Sequence, residues 1–188
     1  MSFNHPVKSE DGKTLIRWVV QKTSTLHING KTNVSSFGCA ISGYYQTDTI
    51  SYSEGTSAGK NIPLSGHLDI AIQDFNCHNK GLTNDLRKTL KSGKYPYLLI
   101  QFIALERLPN LTGGNDKVKG WIDVAMAGVT KRFEIMFTLD KNQTTIHLSG
   151  SRAFSFSQFE LVPPQKMGGM IKVKDSFLVD FSLVLRQL

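Results

Sequence analysis

Five histidines and two cysteines are the side chains with the widest chemical range in this 188-residue chain. The histidines are His5, His27, His67, His78 and His147. No two of them are spaced like paired zinc ligands, and the sequence contains no metalloprotease helix motif. A serine nucleophile motif, a phosphate-binding loop and a dinucleotide fingerprint are also absent from it. This pattern favours a binding protein over an enzyme, and no catalytic residue, metal site or cofactor is predicted.

Cys39 and Cys77 leave two chemistries open. In a reducing cytosol they would be ordinary buried thiols. In an exported protein, an even number of cysteines suggests a disulfide. Such a bridge would close a loop of nearly forty residues, which the chain-entropy model values at roughly 4 kcal/mol. The Cys39–Cys77 disulfide is therefore predicted on the condition that the protein is exported.

The formal charge of +7 and the pI near 9.4 favour acidic neighbours such as anionic lipid headgroups or nucleic acid. The densest basic cluster lacks the interleaved aromatic residues of a single-strand binder, so no nucleic-acid partner is predicted. This cluster consists of Lys80, Arg87, Lys88, Lys91 and Lys94. No apolar run reaches about 18 residues, so no transmembrane segment is predicted. The first residues carry no export signal, which leaves open a cytoplasmic protein or an exported one with its signal removed.

Most of the elements that must position these side chains are predicted to be strands. Apolar and polar residues alternate with a period of two, as where Phe177, Val179 and Phe181 alternate with Asp180 and Ser182. Turn residues separate the segments and no βαβ rhythm is present, so the sheet should be antiparallel. Because closure removes exposed strand edges, we predict an all-β barrel of about eight strands. A single domain is expected over residues 1–188, with 1–13 as a loose N-terminal segment.

One segment, residues 79–96, breaks this alternation and predicts a short helix over one end of the barrel. An apolar stripe is formed by the leucines at every fourth position, Leu82, Leu86 and Leu90. The start of the helix is expected to be capped by Thr83, Asn84 or Asp85. Gly93 is expected to end it. The helix could serve as a fixed end cap or as a ligand gate.

The interior of a barrel of about eight strands is just large enough to be filled by side chains or to hold one small ligand. The apolar faces of the predicted strands and helix provide the candidate ligand-binding residues, each of which could equally be plain core. They are Ile100, Phe102, Phe133, Ile135, Phe137, Phe154, Phe156, Phe177, Val179, Phe181, Leu86 and Leu90. Any ligand held among them should be apolar, because these side chains offer no hydrogen bonds.

Four stretches, in order along the chain, resemble the YceI-like family in the subgroup common in Bacteroidetes. They are STLHINGKTNVSSFGCAI (24–41), FNCHNKGLTNDLRKTLKSGKYPYLLIQF (75–102), VKGWIDVAMAGVTKRFEIMF (118–137) and FSQFELVPPQKMGGMIKVKDSFLVDFSLVL (156–185). The resemblance implies a lipocalin-like, extended antiparallel barrel with an apolar tunnel and export to the periplasm. It also implies, for some members, binding of a long polyisoprenoid or related amphiphile.

The chain departs from the family pattern at one stretch. Where many relatives carry R-x-d-f-g, this chain has SFSQFELVPP, with Gln158 and Glu160 at the comparable places. The departure bears on any contact with a polar headgroup.

Two functions follow from the sequence. The first is a non-catalytic carrier that holds a polyisoprenoid, quinone or fatty-acid-like lipid, periplasmic or secreted, with a homodimer left open. The alternative is an interaction or stress-response module whose barrel is filled and whose loops bind a partner.

Overall fold

The computed structural model describes residues 14–54 and 61–188, so the predicted loose segment 1–13 lies outside the described residues. The strands are β1 Leu15–Val20, β2 Thr25–Thr32, β3 Ser36–Ile41, β4 Thr49–Ser53, β5 Ile62–Pro63, β6 His67–Ala71, β7 Phe75–Asn76, β8 Tyr97–Leu105, β9 Asp116–Met126, β10 Val129–Asn142, β11 Thr145–Ser155, β12 Gln165–Lys166 and β13 Ile171–Gln187. The helix α1 is Lys80–Thr89, and three short 3-10 helices are Ile72–Asp74, Phe156–Phe159 and Met167–Gly169.

All strand pairs are antiparallel, which confirms the predicted class. Strands β8, β9, β10, β11 and β13 are successive neighbours, and the long β13 also pairs with β2 and β1. β1 pairs with β4, and Ser51 of β4 exchanges backbone hydrogen bonds of 2.7 and 2.9 Å with Ser65. Ser65 precedes β6, and β6 pairs with β8.

The number of strands in the structure differs from the predicted number, and the difference depends on strand length. The described residues form thirteen strands, of which eight have at least six residues. The observed number exceeds the predicted number of about eight by the five shorter strands. The remaining five, β4 to β7 and β12, have five residues or fewer, and three of them have only two residues, too few to show alternation.

The predicted alternation places one face of each long strand in the core. On β10, Phe133, Ile135, Phe137 and Leu139 are each at most 5% exposed. Aromatic rings from neighbouring strands then pack together, with the centroids of Phe133 and Phe154 4.8 Å apart in an edge-on arrangement. Burial of such a face stabilises a strand by about 25 cal/mol per Å² of apolar surface, which is why the period of two is so clear in the sequence.

Helix α1 has the predicted apolar stripe but not the predicted ends. Leu86 and Leu90 are buried, and Leu82 packs partly buried against the same core. The cap is Asn79, whose side-chain oxygen accepts a hydrogen bond from the Leu82 amide at 3.0 Å. The expected caps Thr83, Asn84 and Asp85 are therefore wrong, because the helix begins before them.

The C-terminal end also differs from the prediction. The helix stops at Thr89, and Lys91 rather than Gly93 adopts the left-handed conformation, with φ of 54°. The Ser92 amide donates to the Arg87 carbonyl and the Lys91 amide to the Lys88 carbonyl. These two bonds satisfy carbonyls at the end of the helix whatever residue occupies the left-handed position.

Glu160 occupies a position where glycine should be more stable. It follows the 3-10 helix Phe156–Phe159 with φ of 56°, in the left-handed region that favours glycine. Left-handed backbone destabilises a residue with a Cβ by roughly 1–2 kcal/mol relative to glycine. Glycine retains only part of this advantage, because its unfolded chain has more conformational freedom to lose on folding. We expect Glu160→Gly to raise the free energy of unfolding by about 0.5–1 kcal/mol in urea denaturation.

The control is Glu160→Ala, which removes the same carboxylate but keeps the Cβ. It should change stability by less than about 0.5 kcal/mol. Equal stabilisation by both substitutions would show that the carboxylate, rather than the backbone, is responsible.

Candidate apolar ligand site

Two small cavities lie inside the sheet, and both have apolar walls. The first, of about 30 Å³, is here called the Tyr44 cavity, and the second, of about 40 Å³, the Arg152 cavity. Four residues line both of them: Leu26, Ile100, Ile122 and Phe181. The two cavities therefore adjoin each other at these four residues.

Seven of the twelve predicted ligand-binding residues line one or both cavities. They are Ile100, Phe102, Ile135, Phe137, Phe154, Val179 and Phe181. The other five, Phe133, Phe156, Phe177, Leu86 and Leu90, are buried in the core away from these two walls. Sequence reasoning missed several wall residues on other strands, among them Leu26, Ile41, Leu68 and Ile122, although each occupies an inward position of an alternating strand.

Three of these wall residues are less completely packed than the rest. Ile100, Val179 and Phe181 point to the interior yet are only partly buried, whereas the other nine predicted residues are at most 7% exposed. A buried side chain normally contacts neighbours on all sides. Incomplete contact around these three side chains gives them room to change rotamer.

Phe181 is positioned by a glycine on the neighbouring strand. Gly150 on β11 lies directly opposite Phe181 on β13, and a Cβ on Gly150 would come within 2.5 Å of the phenyl ring. The ring can therefore lie against the β11 backbone, where it faces Phe137 at a centroid distance of 6.0 Å. A larger residue at position 150 would push Phe181 further into the cavities.

Arg152 is the charged residue on the cavity walls, and sequence reasoning missed it. Its guanidinium carbon lies 5.1 Å from the ring centroid of Phe133 and 6.0 Å from that of Phe154. Nη1 donates a hydrogen bond to the Glu134 carbonyl, while the buried Nε has no acceptor among the described residues. The alternation Ile146, Leu148, Gly150, Arg152, Phe154 could have identified it as an inward-facing arginine.

The position of Arg152 follows from the way β10 and β11 separate. Their backbone pairing runs from Asn142↔Thr145 to Thr138↔Ser149 and does not extend further along β11. Beyond that point the Arg152 side chain, instead of a backbone amide, donates to a carbonyl of β10. The guanidinium thus connects two strands and places a positive charge beside an apolar space.

The Tyr44 cavity ends in polar groups that the protein itself satisfies. The Tyr44 hydroxyl donates to Asp48 and accepts from the Asp69 amide at 3.0 Å. Burial, followed by the hydrogen bond to Asp48, raises the pKa of Tyr44 well above its usual value. Ser24 Oγ accepts from the Val184 amide at 2.9 Å. These groups close the cavity without offering a free hydrogen bond to a ligand.

The fold and the site agree with comparisons to known proteins. A model of the YceI-like domain matches residues 10–185. The chain belongs to the YceI-like domain family. The narrower resemblance to the subgroup common in Bacteroidetes stays a prediction.

Two solved structures resemble this YceI-like chain in fold. BcnA from Burkholderia cenocepacia has 17% identity and a TM-score of 0.63, with 86% of this chain and 96% of that chain covered. A polyisoprenoid binding domain from Saccharophagus degradans, implicated in plant cell wall breakdown, has 13% identity and a TM-score of 0.64, covering 90% and 97%. A search of curated protein sequences finds no match.

Other kinds of site can be considered across the described part of this YceI-like protein. Within residues 14–54 and 61–188, no group of three His, Cys, Asp or Glu side chains could hold a metal ion. His67 lies 3.6 Å from Asp69, but both are well exposed and neither lines a cavity. In the same described ranges, no helix is long and apolar enough to cross a membrane.

A disulfide joins Cys39 of β3 to Cys77, the pair that the sequence suggested on condition of export. β3 pairs with β7, and Cys77 follows β7 directly, so the bridge extends this short strand pair. The Cys77 amide also donates to Thr83 Oγ1 at 3.0 Å. Both contacts fix the start of α1 against the sheet.

Proposed function

We propose that this protein binds one long apolar molecule in its interior and carries it without changing it chemically. The observation that carries the proposal is a pair of adjoining apolar cavities that share Leu26, Ile100, Ile122 and Phe181 in their walls. The molecule would be a polyisoprenoid, a quinone or a fatty-acid-like lipid. The polyisoprenoid binding domain from Saccharophagus degradans, which has the same fold, supports this class of ligand.

The ligand must displace side chains when it enters. Pockets for small molecules usually measure about 300–1,000 Å³, far more than the 30 and 40 Å³ found here. Ile100, Val179 and Phe181 are the side chains that would move, because their contacts with the core are incomplete. Burial of an apolar chain at about 25 cal/mol per Å² provides the driving force for this rearrangement.

Arg152 provides a place for the polar end of such a molecule. A quinone carbonyl, a carboxylate or a phosphate oxygen could each accept the hydrogen bond that the Arg152 Nε does not make within the described chain. All three ligand types within the proposed class are compatible with this contact.

We propose no reaction for this site. Catalysis on a bound lipid would need an acid, base or nucleophile within reach of it. Among the residues on the two cavity walls, the titratable groups are Tyr44, which is held protonated by its surroundings, and Arg152. The raised pKa of Tyr44 and the permanent charge of arginine prevent either group from acting as a general base.

A location in the periplasm or outside the cell is part of the proposal. The disulfide between Cys39 and Cys77 supports it, because such bonds persist in oxidising compartments and are rare in the cytosol.

The small volume of the cavities favours a second candidate. In this alternative the interior remains filled and the protein binds a partner through its loops. The two candidates differ in whether an apolar chain enters the interior at all, which a titration can decide.

The proposed binding can be tested by titrating the purified protein with a naturally fluorescent polyene fatty acid. We expect a saturable rise in fluorescence at one site per chain, reversed by an unlabelled long-chain prenol. A signal that rises linearly, or that the prenol does not reverse, would favour the filled-interior module instead.

A further inference from the structure

A strongly exposed apolar surface lies at the turn between β12 and β13. Met167 and Met170 flank two glycines in this turn and are 67% and 71% exposed. Val34, in the turn between β2 and β3, is 69% exposed. We call Val34, Met167 and Met170 together the apolar tip. Single exposed apolar residues are common on protein surfaces, but several in one place indicate an interaction site.

Hydrogen bonds hold the two turns of the apolar tip together. Asn33 Nδ2 donates to the Met170 carbonyl at 2.9 Å, and Asn33 Oδ1 accepts from the Lys172 amide at 2.9 Å. The Asn33 amide donates to the Lys172 carbonyl at 3.1 Å. Within the first turn, Thr32 Oγ1 accepts from the amides of Val34 and Ser35. The apolar side chains are thus presented by fixed backbone.

Lysines surround the apolar tip. The two turns and the strands that leave them carry Lys31, Lys166, Lys172 and Lys174, all exposed. The acidic residues of the same segments are Glu160 and Asp175, and Asp175 accepts from the Ser157 amide and hydroxyl. Lys166 also pairs with Asp85 of α1 at 2.7 Å. Positive charge therefore predominates around the apolar side chains.

We propose that the apolar tip docks on a lipid bilayer with anionic headgroups. Flexible apolar side chains that enter the acyl boundary, with lysines at the level of the phosphates, are the combination that interfacial binding requires. A protein partner would be expected to offer acidic side chains around a preformed apolar pocket. The lysines and the unbranched methionine side chains fit a fluid anionic surface better, because they need no shape complementarity.

The tip lies close to helix α1. A groove of about 250 Å³ between them is lined by Phe37, Leu82, Pro164, Ile171 and Val173, among others. The Lys166–Asp85 ion pair crosses from the tip to α1. Docking would thus bring α1 to the bilayer surface. Docking of the apolar tip does not require a ligand in the interior, so this proposal is independent of the proposed function.

The test is co-sedimentation with vesicles made of equal parts phosphatidylglycerol and phosphatidylcholine, compared with phosphatidylcholine alone. We expect binding to the anionic vesicles that weakens with salt, and little binding to the neutral ones. The double variant Met167→Ser/Met170→Ser should bind at least about tenfold more weakly. Its matched control is Met136→Ser, since Met136 is 49% exposed on the outer face of β10 and should leave binding unchanged.

Charge variants test whether the lysines around the apolar tip contribute to binding. Lys172→Gln and Lys174→Gln should each reduce anionic-vesicle binding by about fivefold, as expected for one lysine at such a surface. Lys141→Gln, at an exposed lysine near the C-terminal end of β10, should have no effect. Because all these side chains are exposed, the variants should fold, which circular dichroism verifies.

Several results would overturn the docking proposal. One is equal binding to both kinds of vesicle, and another is unchanged binding of the methionine double variant. A third is a concentration-dependent dimer, seen by size-exclusion chromatography, that the double variant loses while no form binds vesicles. That last result would assign the apolar tip to a second copy of the chain.

Discussion

Removing the Cys39–Cys77 disulfide is expected to lower the free energy of unfolding by about 4 kcal/mol. The bridge joins residues 38 positions apart, and without it the unfolded chain gains the freedom that loop closure had removed. Urea denaturation of the double variant Cys39→Ala/Cys77→Ala, compared with the unreduced protein, measures this difference. An effect of this size is a large part of the stability of a typical domain.

The wild-type protein in reducing buffer is the control for this variant. Reduction removes the bridge without changing any side-chain volume. The urea midpoint of the reduced wild-type protein should therefore approach that of the double variant. A thiol titration of the unreduced, denatured protein should find no free thiol. Two free thiols, or a double variant as stable as the wild type, would contradict the disulfide account.

The loss of the bridge should also act locally on α1. Cys77 precedes the helix by three residues, and its amide donates to Thr83 Oγ1. Amides at the start of α1 should therefore exchange with solvent hydrogen faster in the double variant than amides in β10. A uniform change across the molecule would mean that the bridge acts only on the unfolded chain.

Ile100→Trp is expected to reduce binding of an apolar chain at least about tenfold, because one displaced methylene is already worth about 0.8 kcal/mol. Ile100 lines both cavities, so an indole there would occupy the space that the ligand needs. The fluorescent polyene titration measures this loss. The bulky side chain should also destabilise the fold by about 1–3 kcal/mol through overpacking.

The adjacent residue offers a matched control. Leu99 lies on the same strand, β8, but is 41% exposed on the outer face. Leu99→Trp adds the same indole without entering the interior, so binding should stay unchanged and stability should vary by less than about 0.5 kcal/mol. If both variants bind like the wild type, the ligand does not occupy the space beside Ile100.

The sequence predicts the long strands well because burial of one face dictates their alternation. In β10 the inward residues Phe133 to Leu139 are all buried, as the pattern requires. The same reasoning identifies the apolar stripe of α1. Seven wall residues of the cavities follow from such patterns, because inward-facing positions can be read from a period of two.

The ends of α1 could not be predicted from local preference alone. Thr83 has a side chain suited to capping, but its hydroxyl accepts from the Cys77 amide instead. Asn79, outside the apolar pattern, takes the capping position. Lys91 takes the left-handed position where glycine would be preferred. Which residue serves each end depends on how the chain enters and leaves the helix.

Arg152 and the size of the cavities depend on contacts between residues far apart in sequence. The alternation places Arg152 inward, but only the separation of β10 from β11 explains why a charge is tolerated there. The cavity volumes result from the packing of side chains from five or more strands, including Leu26, Ile100 and Phe181. The periodicity of the sequence does not predict how closely these side chains pack, and therefore does not predict the cavity volumes.

Whether the interior holds an apolar molecule can be measured by mass spectrometry of lipid extracted from the natively purified protein. We expect one class of long apolar molecule in an amount equal to the protein, retained with Leu99→Trp and strongly reduced with Ile100→Trp. Repeated preparations that carry no lipid, together with no binding of an added prenyl chain, would contradict this expectation.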